Sequence, residues 1–300
     1  APQLATLDVS AVRLGRADVA ALVAFGASSA ALTSLSVARC GVEADAVLAI
    51  AQALQLNPRL SATALDASGN ALGAVGGYLL AAALPTLSKL TSLHVDEIGR
   101  GPDLPPELAG GSGSRNGTPE KDSSPADGGG NSFSRGRDRS NSSDAAKASA
   151  PGAAVLLLEA LAAAAAALPA LTSVALGHTA VGTPDRLATA LHAFLIGAPQ
   201  LKALYLAGSG ASRLRGALTP LVHAVAEAAA AGGAQLSVLD VSGHQSGDGF
   251  VSALRPLLDG DGGPRTLLCH GNALTVSGVE QLGEAAKEAA VEALVVTQED

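Results

Sequence analysis

Aromatic residues make up only 2% of this 300-residue sequence, and neither tryptophan nor methionine occurs. A compact globule of that length needs large side chains to fill its centre, so a thin architecture layered from Leu, Val and Ala is expected instead. Two cysteines are too few for a disulfide framework. Nor is there an excess of basic residues: the formal net charge is −8, with both signs mixed along the chain, which argues against nucleic acid as a ligand. A long, purely apolar run is lacking as well. The nearest approach, Ala153 to Leu168, is mostly alanine and carries Glu159 near its middle, so it reads as a helix covering a core rather than a membrane span.

Catalytic signatures are missing too. There is no nucleophile elbow, no phosphate-binding loop with its lysine, no C-x-x-C pair and no H-E-x-x-H. The glycine-rich GSGSRNGTPEK (Gly111 to Lys121) has no preceding strand and no G-K-[ST] ending, so it reads as a linker. No catalytic residue, cofactor site or metal site is assigned, and the chain is expected not to be an enzyme.

What the sequence does contain is one frame, repeated. LSVLDVSGHQS from Leu236 and PRTLLCHGNAL from Pro264 both fit L-x-x-L-x-L-x-x-N/C-x-L, the leucine-rich-repeat consensus. The same frame opens at Leu4, Leu32, Ala62, Leu90, Leu171 and Leu201, and a fragment, VEALVV, opens at Val291. Successive starts lie 28, 30, 28, 81, 30, 35, 28 and 27 residues apart. Each spacing suits a strand plus a helix except the 81-residue step, which is one repeat carrying a large insertion. The expected fold is therefore α/β: a right-handed leucine-rich-repeat solenoid of the ribonuclease-inhibitor type. Parallel strands would line its concave face and helices its convex face. Residues 1–300 are read as a single solenoid, interrupted at about 101–150. Leu4 already stands at the first repeat position with no polar cap before it, so the chain is expected to be part of a longer one.

Helices are expected between the strands. Ala44 to Gln55 shows helical apolar spacing and stops at Asn57-Pro58, and Ala74 to Leu84 stops at Pro85. Thr183-Pro184 and Thr219-Pro220 each read as an N-cap followed by proline at the first helical position, and Ser277 to Ala290 closes the series. Gly101 to Ala150 is different material, Gly, Ser, Pro, Asp and Arg with few apolar residues. It reads as a disordered loop. Within it, Arg135 and Arg137 precede Ser140 in a basophilic-kinase pattern, which makes Ser140 a candidate phosphosite. Cys40 takes a turn slot and Cys269 a core slot in distant repeats, so both read as reduced structural residues of a cytosolic protein.

Strand residues that alternate with the core positions face outward, where solenoids meet partners. They are His94, Asp96, Glu97, His178, Lys202, Tyr205, Asp240 and His270. His94, Asp96 and His178 fall on strands about 5 Å apart, close enough for a metal or acid/base site, although solvated polar residues on a binding face are the simpler reading. His244 and Ser209 occupy the turn slot where asparagine normally bonds backbone. Asp8, Asp66 and Asp240 share an L-D-x-S scaffold pattern.

Irregular features carry a resemblance. The third repeat is offset before its strand (RLSATALDASGNAL), and the 35-residue sixth repeat carries LTPLVHAVAEAAAAGGAQLSVLDVSG. LDVSGHQSGDGFVSALRPLL and RTLLCHGNALTVSGVEQL follow in order. From Ala31 to Val296 this succession resembles the CARMIL family, leucine-rich-repeat regulators of actin capping protein. The resemblance implies a cytoplasmic scaffold at the cytoskeleton and plasma-membrane periphery, with partners in the actin-regulatory machinery. It also implies a membrane-binding domain before the solenoid and a capping-protein motif beyond it. Neither occurs in this sequence, so membrane contact would come only through parts outside it, and the chain is not expected to displace a capper alone. The insertion and the alanine-rich outer face depart from the family pattern, and no functional residue is carried over. The alternatives are a GTPase activator of the Ran type, which needs an exposed arginine such as Arg39 beside an acidic rim, and an NLR-like recognition module.

Overall fold

The computed structural model describes residues 4–60, 63–98, 152–179, 183–260 and 263–297. Among them nine strands alternate with eight α-helices. The strands are β1 (Thr6–Asp8), β2 (Ser34–Ser36), β3 (Thr63–Asp66), β4 (Leu90–His94), β5 (Ser173–Ala175), β6 (Ala203–Tyr205), β7 (Val238–Asp240), β8 (Thr266–Leu268) and β9 (Ala293–Val295). The helices are α1 (Arg16–Ser28), α2 (Ala44–Leu56), α3 (Gly73–Ala83), α4 (Ala153–Ala164), α5 (Pro184–Gly197), α6 (Leu218–Ala230), α7 (Gly249–Leu258) and α8 (Val276–Glu288). None is long and apolar enough to cross a membrane. The disordered loop expected over Gly101 to Ala150, with Ser140 in it, lies outside the described residues.

All nine strands form one parallel sheet in sequence order. The fourth repeat position sets its register: Leu7, Leu35, Leu65, Leu93, Val174, Leu204, Leu239, Leu267 and Leu294 pair in succession. The sixth position buries Val37, Ala67, Val95, Leu176, Leu206, Val241 and Cys269 beside them. One apolar layer thus runs along the sheet, built mostly from aliphatic groups, with Phe194 and Phe250 filling the space under α5 and α7. The 81-residue step does not break it: Ser92, Leu93 and His94 pair with Ser173, Val174 and Ala175. The Val95 amide donates to the Ala175 carbonyl at 2.9 Å.

Helices pack in the same order, each on the next. Parallel strands repeat at about 4.8 Å whereas packed helices need about 8–10 Å. The stack therefore bends with the sheet on its inner side, which is the concave face expected of a leucine-rich-repeat solenoid.

Several local expectations change. In α3, whose helical spacing points to Val75, Leu79, Leu80 and Ala83 as the inward side, Leu80 and Ala83 are buried but Val75 and Leu79 only partly, and Gly73, Gly76 and Gly77 complete the buried stripe. Gly76 has no room for a larger residue, because a Cβ there would overlap the Leu72 Cβ and lie 3.3 Å from the Ala44 Cβ of α2. Helix α6 starts at Leu218 rather than after Thr219, with Pro220 inside its first turn, where a missing N–H is harmless. At α5, Thr183 and Pro184 hold the N-cap and first helical positions, but the threonine side chain makes no capping bond. At α8 the cap is Thr275, whose hydroxyl accepts from the Gly278 amide at 3.3 Å.

Candidate interaction surface on the strand face

The outer face is organised by short polar side chains tied to backbone. Asp8, Asp66 and Asp240 each fold back to accept the amide two residues on, from Ser10 at 2.8 Å, Ser68 at 2.9 Å and Ser242 at 2.9 Å. Those serines link neighbouring strands. The Ser10 and Ser36 hydroxyls lie 2.7 Å apart, Ser36 donates to Asp66 at 3.2 Å, and the Asp96 amide donates to Ser68 Oγ at 3.1 Å. The L-D-x-S pattern is therefore a scaffold element, as its recurrence suggested.

Across β4 to β7 that face opens into a hollow of about 200 Å³ lined by His94, Asp96, Ala175, Gly177, His178, Tyr205, Ala207 and Asp240. Five of the eight outward-facing candidates meet here. Its floor exists because Ala175, Gly177 and Ala207 occupy positions where other repeats carry Asp, Ser or His. His94 and Tyr205 stand edge to face, ring centroids 6.0 Å apart at 65°. His94 Nε2 lies 3.4 Å from Ser173 Oγ. The Asp96 carboxylate accepts the Gly177 amide, and a Cβ on Gly177 would sit 3.1 Å from both Asp96 Oδ1 and the Ala207 carbonyl oxygen.

The hollow is electrostatically unbalanced. Burial, aided by Asp66, Asp240 and Glu97 and opposed by the Gly177 amide, pushes the Asp96 carboxyl up to about 6. Burial also pushes His94 down, and Asp66 offsets this only in part. His94 is thus a poor cation at neutral pH. His178 Nδ1 is buried with no hydrogen-bond partner among the described residues. Those residues also hold no group of three or more His, Cys, Asp or Glu placed to bind a metal ion.

The remaining candidates lie outside the hollow. Glu97 is exposed and pairs with Arg39 at 3.9 Å. Arg39 therefore has an acidic neighbour. Lys202 is exposed near the start of β6, and His270 is exposed with Nδ1 2.9 Å from Ser242 Oγ. A larger cavity, about 410 Å³, sits where α1 and α2 begin, but it sets Arg16 against Glu43 and Asp45 and has no strand-face residue.

The turn slots behind the strands are structural. Asn70 accepts from the Cys40 and Val42 amides at 3.1 and 3.2 Å and donates to the Val37 and Ala67 carbonyls at 2.9 and 2.8 Å. Asn272 accepts from His244 and donates to Val241 and Cys269. His244 does the same work with imidazole. Ser209 does not: it is exposed, and its amide donates to Ser212 Oγ at 2.8 Å. The two cysteines are free and buried, as expected. Burial pushes the Cys269 thiol up to about 12, so it carries no thiolate chemistry.

The register and the helix layer define a leucine-rich-repeat protein. No protein-family model matches the sequence, and no curated protein matches it. Among solved structures, the crystal structure of the Rad7 and Elc1 complex of yeast is similar at a TM-score of 0.35 and 14% identity, over 94% of this chain and 75% of that one. Likeness at that level bears on neither family nor function.

Proposed function

We propose that this chain is a non-catalytic protein-interaction scaffold whose strand face carries the contact surface. The observation behind this reading is the hollow on β4 to β7, where charged and aromatic side chains converge over a floor of Ala and Gly. The turn slots behind the strands are committed to backbone closure. The finer proposal is a CARMIL-type role beside actin capping protein, in the cytoplasm near the cytoskeleton and plasma membrane. It is supported by the order of irregular repeats in the sequence, and its reducing compartment by two buried free thiols.

Photo-cross-linking in cells tests both levels. A photoreactive residue replacing Tyr205 on the strand face should trap discrete partners, with actin-regulatory proteins among them. The same residue replacing Glu227, exposed on α6, should not. Cross-links from the helix side alone would overturn the scaffold reading. Strand-face cross-links without actin regulators would overturn only the finer one.

GTPase activation is the second reading, because Arg39 is 72% exposed beside the acidic Glu97. Stimulated GTP hydrolysis by any small GTPase, lost in Arg39→Ala, would favour it over the scaffold.

A further inference from the structure

Resting on the strand-face reading, we propose that the hollow on β4 to β7 receives one arginine side chain of a protein partner, with the Asp96 carboxylate as its counter-charge. Size points the same way. At about 200 Å³ the hollow is smaller than the roughly 300–1,000 Å³ typical of small-molecule sites, so it suits a side-chain head group.

Charge points to a cation. Asp96 and Asp240 line the hollow and Asp66 acts on Asp96 from beside it, yet among the described residues no lysine or arginine pairs with any of them within 4.0 Å. The ion pairs that exist join Arg39 to Glu97, Arg186 to Glu159, Arg255 to Asp259 and Glu288, and Arg265 to Glu292. The imidazole of His94 cannot compensate, because burial disfavours its charged form. Asp96 keeps one strong donor, the Gly177 amide on Oδ1, which leaves Oδ2 for an incoming N–H.

Shape and hydrogen bonding favour arginine over lysine. A guanidinium is planar, stacks on an aromatic ring and is less strongly hydrated than an ammonium. Tyr205 supplies the ring. The several N–H donors of a guanidinium suit a wall that carries both the Asp96 and the Asp240 carboxylates. The groups facing Asp96 are Asp66 from β3, His94 and Glu97 from its own repeat, His178 after β5, Tyr205 from β6 and Asp240 from β7. A bound cation restores the carboxylate, so binding releases a proton and tightens as pH rises through about 6.

The test is an amide-resolved NMR titration of the whole ¹⁵N-labelled chain with the blocked peptide acetyl-Gly-Arg-Gly-amide. Lysine and citrulline peptides serve as the ammonium and uncharged counterparts. Saturating shifts are expected at Gly177, His178 and Ala207 with the arginine peptide, weaker ones with lysine and none with citrulline. Affinity should rise about tenfold between pH 5 and 7.5, since about a tenth of a carboxyl titrating near 6 is ionised at pH 5. Asp96→Asn keeps the acceptor for Gly177 and should abolish both binding and its pH dependence. Ala207→Leu, which fills the floor and leaves every charge in place, should abolish binding as well. Equal response to citrulline, shifts scattered over the surface, or binding unchanged in either variant would overturn the assignment. If cross-links from the Tyr205 position persist while the arginine peptide fails, the hollow assignment falls alone. Loss of those cross-links instead removes the strand-face reading.

Discussion

His244 Nε2 donates a hydrogen bond to the Leu206 carbonyl at 2.7 Å, while its Nδ1 accepts from the Leu214 amide at 3.1 Å. A carbonyl only accepts and an amide only donates, so the two bonds specify the neutral Nε2–H tautomer. The imidazole thereby spans the sixth repeat, where Ser209 leaves the usual asparagine role unfilled. Burial of His244 holds its pKa below the ordinary histidine value, with the Leu206 carbonyl and Asp240 offsetting part of the effect.

Stability should therefore depend on pH through His244. With the native pKa depressed, the unfolded chain takes up the proton first. The contribution is complete above the unfolded value of about 6.5 and is lost as pH falls from there toward the native pKa. His244→Asn should remove that slope while keeping both backbone groups bonded. His244→Ala should destabilise by about 2–4 kcal/mol by orphaning a buried carbonyl and amide. Urea unfolding at a series of pH values checks both, read as the difference between wild type and variant.

Asp96 acts with the opposite sign. Its native pKa, about 6, lies above the ordinary aspartate value of 3.8, so its contribution is full below the lower value and is lost as pH rises through the higher one. Asp96→Asn should raise stability above pH 7 by about 1–2 kcal/mol, partial exposure having reduced the effect, and leave it unchanged near pH 4. Thermal melts at the two pH values separate these outcomes, and a loss of stability at pH 7.5 would contradict the charge imbalance assigned to the hollow.

Two residues in the same repeat slot should differ sharply. Asn70 makes four buried hydrogen bonds to two repeats, so Asn70→Ala should cost about 3 kcal/mol. Ser209 is exposed and its side chain is not what closes the turn, so Ser209→Ala should stay within about 0.5 kcal/mol. Denaturant midpoints of the two variants check the pair side by side.

The fold was legible because a repeat writes the same requirement many times. Leu or Val at the fourth position, a small or branched aliphatic at the sixth and a polar turn residue at the ninth can each be read against their own copies. Helix detail was less legible. Alanine-rich segments carry little contrast between faces, and it is neighbours distant in sequence, Ala44 of α2 at Gly76 and Ala153 of α4 at Gly77, that lie against the buried side of α3. The first turn of α6 also tolerates proline at more than one position, so Thr219-Pro220 does not mark its start.

The candidate site was half legible. Adjacent strands bring His94, Asp96 and His178 together, as strand spacing alone suggests. That Tyr205 and Asp240 share their hollow depends on side chains that are absent, those of Ala175, Gly177 and Ala207. Glu97 stands outside the hollow, paired with Arg39 of an earlier repeat at 3.9 Å.

Everything on the strand face depends on β4 lying beside β5 although 81 residues separate the starts of their repeats. The most direct measurement is oxidative cross-linking of the double variant Ser92→Cys, Ser173→Cys, whose positions are paired in the sheet. Adjacent strands lie about 4.8 Å apart, within the range of a disulfide, so the stacked register predicts near-complete cross-linking without loss of thermal stability. Ser92→Cys with Ala203→Cys, one strand further on, should remain reduced. Cross-linking of the second pair in place of the first would contradict the register and, with it, the hollow built upon it.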